Sequence, residues 1–376
     1  MRQIVLLLIC AVAFMIGHAY AHLTEHASTQ TNIGVTNPSY RFIAHHEKTP
    51  DTQLTSGQGA LKFKVLYTRD HFPAEVVAAI DKAHGGFDVD RREGKGETYF
   101  ALPGVGIIQI SADLKTTQLI ETPAALKEAN AHYVTVWSTT AGPPYLSFPA
   151  NDVGKIFTTT LDGKLVHTLG APDAMTDFKH QAVNTYFSEG GKFVPTGITH
   201  VDGMLYVTTG YSDLDYILGA KLTSLEPLEA SWYPLAFGGK GDEPGQFGTG
   251  HHITVPYGTN RLDASDRANA EIERYSPDGT YLETLPLIKG SFPCSIDYEA
   301  GYAVVACLFG PDQKKGAPLY ILEGNNLVST VMLKEELGVE TFQHLHGAVI
   351  RKIDGKFYII AQSWNPGDII ILEQVM

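Results

Sequence analysis

The chain has 376 residues and a formal net charge of −13 at neutral pH. Because nucleic-acid binding requires a basic face, this acidic balance argues against nucleic acid as a partner. The sequence places 37 glycines and 20 prolines between short apolar runs. Such punctuation indicates an all-β domain with many tight turns.

The N-terminal residues predict export. Residues 1–21 combine one early arginine with an apolar run and end in Ala-Tyr-Ala, which is typical of a secretory signal peptide cleaved before His22. The apolar run is shorter than the roughly 20 residues that a membrane span requires, so we expect a secreted or periplasmic protein with no membrane span. Residues 22–58 are polar and unpatterned, which predicts a flexible N-terminal segment before one domain over residues 59–376.

Six units of similar pattern follow one another along this domain. Each contains about four short strands, and the period of roughly 40–50 residues is that of a propeller blade. The units begin at Gly85, His132, Thr196, His251, Cys294 and His346. The sixth unit is one strand short, and the early strand-like run over residues 61–67 would complete it and close the ring. The sequence therefore predicts an all-β, six-bladed β-propeller; the alternative, a β-sandwich with an extra domain, does not explain the period.

Three histidines occupy the same position in alternate units. His132, His251 and His346 each begin a run with apolar residues at every second position, which is typical of a half-buried strand. The first strand of each blade lines the channel, and alternate blades of a six-fold ring are related by a third of a turn, so the three imidazoles would converge. Three histidines with an open fourth position describe a catalytic zinc site. The equivalent positions of the other units hold the small residues Gly85, Thr196 and Cys294.

Other interpretations of the histidines stay open at this point. A histidine at a strand entrance can simply bind a channel water. His344 lies two residues before His346 and is a candidate additional ligand, whereas His84 and His200 are expected to be structural or surface residues. Zinc is the expected metal, but imidazole also suits copper and other divalent ions, and structural calcium is a further candidate.

Two cysteines remain after signal removal. Cys294 and Cys307 flank a segment that is typical of a β-hairpin, so they would face each other across it. In an oxidising compartment this arrangement predicts a disulfide, with two free buried thiols as the alternative.

Several motifs resemble those of the NHL-repeat propellers, and in particular peptidyl-α-hydroxyglycine α-amidating lyase. The motifs are Phe193–Ile198, Gly210-Tyr211, Pro244–Phe247 followed by Gly250-His251, Ser265–Asn269 and Phe342–His346. The resemblance implies a zinc-dependent lyase that splits a peptidyl-α-hydroxyglycine into an amidated peptide and glyoxylate. It also implies zinc ligation by the three histidines, an acid/base role for Tyr211 and a substrate-carboxylate contact for Arg267.

The chain departs from the family pattern at three positions. Pro103 stands where the family has an arginine, His344 where it has a methionine, and Gly347 where it has an acidic residue. The substrate is therefore left open as a small or peptidyl oxygenated molecule. Two alternative functions remain: a non-catalytic propeller that binds a protein or peptide partner, and a lactonase-like hydrolase that holds calcium through carboxylate and amide oxygens.

Overall fold

The computed structural model describes residues 39–42, 54–140, 142–173 and 176–375. The predicted signal peptide over residues 1–21 lies outside the described residues, as does most of the predicted flexible segment over residues 22–58. Within the described ranges, no helix combines the length and the apolarity needed to cross a bilayer.

Short β-strands dominate the described chain. In chain order they are β1 (Ser39–Arg41), β2 (Ser56–Gln58), β3 (Leu61–Tyr67), β4 (Asp88–Val89), β5 (Thr98–Leu102), β6 (Gly106–Ile110), β7 (Thr116–Leu119), β8 (Thr135–Ser138), β9 (Pro144–Ala150), β10 (Lys155–Thr160), β11 (Leu165–Leu169), β12 (Gly197–Val201), β13 (Met204–Thr208), β14 (Tyr216–Leu225), β15 (Leu228–Gly238), β16 (Gly250–Thr254), β17 (Leu262–Asp266), β18 (Glu271–Tyr275), β19 (Tyr281–Pro286), β20 (Pro293–Glu299), β21 (Tyr302–Cys307), β22 (Pro318–Glu323), β23 (Asn326–Met332), β24 (Leu345–Ile353), β25 (Lys356–Ser363) and β26 (Asp368–Gln374). The helices are α1 (Ala74–Ala79), α2 (Ala124–Glu128) and α3 (Gln181–Ser188), with 3₁₀ turns at Arg69–His71 and Ile80–Lys82.

Six antiparallel sheets follow one another along the chain. Strands β4–β7, β8–β11, β12–β15, β16–β19 and β20–β23 each form one four-stranded meander, and β24–β26 form the sixth with β3. This arrangement confirms the predicted six-bladed β-propeller. The first strand of each sheet, from β4 to β24, is the inner strand of its blade.

An N-terminal strand closes the ring, as predicted. Strand β3 pairs antiparallel with β26, with Phe63 opposite Gln374 and Lys64 opposite Glu373. Two short stretches of the segment that we expected to be flexible also join the blades. Strand β2 pairs with β3, and β1 pairs with β7 of the first blade. Both stretches satisfy the backbone groups of a strand that would otherwise be an open edge.

The core lies between neighbouring blades. Because both faces of a blade are covered, a middle strand such as β5 is buried along its whole length. One cluster joins blades five and six through Ile321, Ile350 and Ile359, all fully buried. Burying a side chain of this size stabilises the fold by about 1.5–3 kcal/mol. The packing of blade on blade therefore fixes where each inner strand begins.

The predicted disulfide is absent from the structure. Cys294 and Cys307 are both buried free thiols. A bulge between β20 and β21 puts Pro293 opposite Cys307 and Ser295 opposite Ala306. Cys294 is therefore the residue displaced by the bulge and has no cross-strand partner in this ladder.

Candidate metal centre

Three buried imidazoles meet where the inner strands begin. His132 lies just before β8, while His251 and His346 are the second residues of β16 and β24. The ring centroid of His132 is 4.7 Å from that of His251 and 4.7 Å from that of His346, and the third separation is 4.8 Å. The distances are nearly equal because the three histidines lie in alternate blades of the six-bladed propeller.

Each of these imidazoles is oriented by a backbone carbonyl of the next blade. The Nδ1 atoms of His132, His251 and His346 lie 2.6, 2.8 and 2.8 Å from the carbonyl oxygens of Thr196, Cys294 and Gly85, respectively. These three carbonyls belong to the positions that are equivalent to the histidines in the other three units. Even-numbered blades therefore supply rings, and odd-numbered blades supply the acceptors that hold them.

The carbonyl contacts determine the chemical state of the rings. Because a carbonyl can only accept, each Nδ1 carries the proton and donates it, which leaves the lone pair on Nε2. Burial lowers the pKa of all three histidines well below the ordinary value of 6.5, so the rings are neutral at physiological pH. A neutral imidazole whose Nδ1–H donates to a carbonyl is a typical metal ligand.

The Nε2 atoms have too few hydrogen-bond donors. The Nε2 of His346 is buried and has no hydrogen-bond partner within the described chain. The hydroxyl oxygen of Tyr211 lies 3.2 Å from Nε2 of His132 and 2.9 Å from Nε2 of His251. A phenol has one proton, so it can satisfy only one of these two nitrogens. Neutral imidazole nitrogens with surplus lone pairs are the donor type that a metal ion such as zinc requires.

Tyr211 and Arg267 lie together above the imidazoles. Arg267 donates from Nη1 to the hydroxyl oxygen of Tyr211 at 2.9 Å, and its guanidinium lies over the phenol ring. Burial raises the pKa of Tyr211 to about 12, against the opposing effect of the Arg267 charge. Tyr211 is therefore a neutral phenol that keeps its proton at physiological pH.

A close backbone approach sets the position of Tyr211. The amide of Gly210 donates to the carbonyl of Gly250 at 3.2 Å. A Cβ atom at position 210 would lie 2.2 Å from that same oxygen, so only glycine fits. The turn after β13 is thereby tied to the residue before His251.

Two carboxylates hold the segment that leads into His251, and sequence reasoning did not identify this role. Asp215 accepts from the amide of Gly250 at 2.8 Å. Asp266 accepts from the amides of Gly248 and Thr249, each at 2.9 Å. Asp266 was visible only as a member of the Ser265–Asn269 motif, and no local pattern marks Asp215.

His84 lies beside these imidazoles, although the sequence indicated a structural or surface residue. Its ring centroid is 4.6 Å from that of His346 and 4.9 Å from that of His132. One ring nitrogen from each of these three residues lies within 4.8 Å of the others. Asn130, which the sequence did not single out, approaches Nδ1 of His84 through its side-chain Nδ2 at 2.9 Å. The available signal was that His84 immediately precedes Gly85, the first-unit equivalent of the three histidines.

His344 and His200 lie away from this cluster. The ring of His344 contacts Phe309 at 4.9 Å and Trp364 at 6.2 Å, and its Nδ1 lies 3.3 Å from the carbonyl of Asn365. His344 was a candidate ligand because residues two apart on a regular strand face the same side. It precedes β24, and a bulge follows at the start of that strand, so this alternation does not apply. His200 stacks on Trp137 further along the channel.

The loops between the second and third strands of the blades form the rim of the site. Tyr211, Arg267 and Trp364 all lie in such loops. Pro103 occupies the same loop of the first blade and brings neither charge nor a backbone donor. Gly347 packs where blades six and one meet, since a Cβ atom there would lie 2.8 Å from the Cα of Gly86.

Comparison with known proteins shows no family for this chain. No family model matches the chain, and no curated protein matches its sequence. A streptogramin B lyase structure is 16% identical, with 78% of this chain and 94% of that chain covered and a TM-score of 0.46. An inactive variant of virginiamycin B lyase from Staphylococcus aureus is 15% identical, with coverages of 85% and 100% and a TM-score of 0.48. A chain of a nidogen/laminin complex is 12% identical, with coverages of 78% and 96% and a TM-score of 0.46. At these identities the likeness concerns the fold alone.

Proposed function

We propose that this protein is an exported, metal-dependent lyase that acts on a small or peptidyl oxygenated substrate, with chemistry like that of peptidyl-α-hydroxyglycine α-amidating lyase. The metal ligands are His132, His251 and His346. The observation that carries the proposal is the convergence of three neutral imidazoles whose Nε2 lone pairs outnumber the protons available to them.

Zinc is the metal that we propose for this site. Three imidazole nitrogens are a common ligand set of catalytic zinc, which keeps a further position for water or substrate. Zinc bound by these residues supplies Lewis acidity that favours the alkoxide of a substrate carbinol. The carbonyls of Thr196, Cys294 and Gly85 keep the rings in the tautomer that the metal requires.

Tyr211 is the proposed proton donor. In the lyase reaction the bond between the amide nitrogen and the carbinol carbon breaks, the hydroxyl loses its proton and the nitrogen gains one. No water is consumed, because the carbinol becomes the aldehyde of glyoxylate. Tyr211 retains its proton at physiological pH and lies within hydrogen-bond distance of two of the ligands, so it is placed to deliver a proton beside them.

Arg267 is the proposed contact for the substrate carboxylate. Its Nη1 is engaged by Tyr211, while its Nε is buried without a hydrogen-bond partner among the described residues. A carboxylate that bound this guanidinium would satisfy the unpartnered donor and would lie next to the proton donor. Arg267 would thereby orient a substrate that ends in a carboxylate.

The first experiment is metal analysis of the purified protein. We expect one zinc ion per chain, lost on His132→Ala and retained on His180→Ala, a matched control whose ring contacts Tyr216 outside the site. A peptidyl-α-hydroxyglycine is then incubated with the zinc-loaded protein, and amidated peptide and glyoxylate are measured. Calcium in place of zinc would favour the lactonase-like alternative, and absence of metal would favour a non-catalytic binding propeller.

A further inference from the structure

We propose that His84 is a fourth ligand of the metal centre in the substrate-free protein and that substrate must displace it. The inference rests on the proposed metal centre and goes beyond it, because a site with three histidines leaves one position open. Four imidazole nitrogens would instead complete the tetrahedral coordination that zinc prefers.

The position of His84 relative to the cluster is the first argument. Its ring lies as close to His346 and His132 as those two rings lie to each other. Ring nitrogens of the three residues lie within 4.8 Å of one another, so shifts of about an ångström bring them to a shared ion. His84 therefore lies within coordination reach of a metal held by His132 and His346.

The backbone next to His84 is fixed to the same cluster. The carbonyl of Gly85 accepts from Nδ1 of His346 at 2.8 Å and from the side chain of Gln362 at 3.2 Å. This carbonyl, which accepts two hydrogen bonds, belongs to the peptide one residue after the one that follows His84. The distance between His84 and His346 is therefore set by the fold rather than by a mobile loop.

Asn130 determines which nitrogen of His84 faces the metal. Its side-chain Nδ2 lies 2.9 Å from Nδ1 of His84 and 3.0 Å from Oδ1 of Asn151. Nδ1 is therefore occupied by the side-chain amide of Asn130, and Nε2 is the nitrogen left for the ion. Ligation through Nε2 puts the ring proton on Nδ1. Half-turns of the Asn130 and Asn151 amides together present the Asn130 oxygen to that proton and keep the contact between the two amides.

His84 is also the ligand that can leave. The other three rings are fully buried and each donates to a backbone carbonyl, whereas His84 is partly exposed and is held by one side-chain amide. Rotation of the His84 side chain away from the ion would open one coordination position at the rim, where Tyr211 and Arg267 lie. Substrate oxygen would then take the place of Nε2.

Cobalt substitution tests the inference without reference to activity. The visible ligand-field absorption of Co²⁺ reports coordination number, and azide binds only where a position is open. We expect the cobalt protein to resist azide, and the His84→Ala variant to bind azide at a concentration at least 10-fold lower. Zinc affinity, measured by competition with a chelator, should fall by about 10- to 100-fold, since loss of even an outer-shell partner has effects of that size.

Two further variants make the outcome decisive. His84→Gln retains the bulk of the side chain, so its agreement with His84→Ala would exclude a folding defect, and free imidazole should restore the four-nitrogen spectrum to His84→Ala. His180→Ala should match the wild type. If wild type and His84→Ala bind azide and zinc alike, the fourth ligand is disproved while the three-histidine centre stands. If the wild type binds no metal, both proposals fail.

Discussion

The two ends of the inner strands bury polar groups in different ways. Where the strands begin, the channel holds the uncharged imidazoles of His132, His251 and His346. Further along, it holds ionised side chains in contact with one another. Arg91 donates from Nη2 to both carboxylate oxygens of Asp297, at 2.8 and 2.7 Å, and also pairs with Glu299. We call these the histidine end and the charged end.

The charged end satisfies its own groups. A second set of contacts surrounds the fully buried carboxylate of Asp263, which accepts from Arg261 at 2.6 Å, from Arg274 at 3.2 Å and from the hydroxyl of Tyr298. Every charge named here has an oppositely charged partner. The histidine end differs because its Nε2 lone pairs exceed the protons available to them. Among these groups, it is the histidine end whose lone pairs call for a partner beyond the described residues.

The largest expected effect is on catalysis at the histidine end. Tyr211→Phe removes the one proton that lies next to Nε2 of His132 and His251. We expect kcat for cleavage of a peptidyl-α-hydroxyglycine to fall by about 10²- to 10⁴-fold, the usual contribution of a general acid. Zinc content should stay at one per chain, because the phenol is not a proposed ligand. A variant that kept full kcat would remove Tyr211 from the mechanism.

At the charged end a single substitution should act on stability instead. Arg91→Ala removes the guanidinium that pairs with the carboxylates of Asp297 and Glu299. Because these side chains are only partly buried, we expect a loss of about 1–3 kcal/mol, below the roughly 3–5 kcal/mol that breaking a fully buried pair costs. Urea unfolding of the zinc-loaded protein measures the loss. Zinc affinity should be unchanged, and a parallel loss of zinc would mean that the two ends are coupled.

The control for this substitution is an exposed ion pair. Lys115 and Asp113 lie 3.5 Å apart, with more than half of each side chain exposed. Lys115→Ala should change the free energy of unfolding by less than about 1 kcal/mol, because water screens such a pair. Equal losses from Lys115→Ala and Arg91→Ala would contradict the view that burial makes the charged end important.

A metal that satisfies the histidine end should also stabilise the fold. If zinc binds only the folded chain, a free zinc concentration of 100 times the dissociation constant raises the free energy of unfolding by about 2.7 kcal/mol. Thermal melts of chelator-treated protein with and without zinc measure this gain. His132→Ala should abolish the gain, and Arg91→Ala should leave it intact. Stabilisation that survived His132→Ala would place the zinc elsewhere.

The same contrast explains how much the sequence could predict. The blades were predictable because each strand repeats apolar residues with a fixed period, and the role of β3 followed from an incomplete sixth unit. His132, His251 and His346 were predictable because they repeat at one position. Their partners were not, since a backbone carbonyl has the same chemistry whatever side chain its residue carries.

Three errors have separate causes. His84 lies one residue before the repeated position, so the repeat did not mark it as a site residue. In the structure its ring nevertheless lies next to that of His346. The predicted disulfide failed because the bulge after Pro293 displaces Cys294, and bulges have no reliable sequence signature. The charged end was not predicted at all, because Arg91 and Asp297 are about 200 residues apart in the chain and meet only when the ring closes.

The smallest expected effect is a pH dependence at the charged end. Burial raises the pKa of Asp88 from 3.8 to about 7, with a further contribution from Asp297, and hydrogen bonds from the Val136 and Val89 amides oppose the shift. The folded chain therefore binds this proton more tightly than the unfolded chain, so stability falls as pH rises from about 4 to about 7. In Asp88→Asn that part of the decline disappears. We expect the variant to lose less stability than the wild type across this interval, measured by urea unfolding at each pH. The control is His180→Ala, whose ring contacts Tyr216 and not Asp88, and its stability should follow the wild-type curve. Identical slopes for Asp88→Asn and wild type would show that the carboxyl of Asp88 does not titrate in the interval.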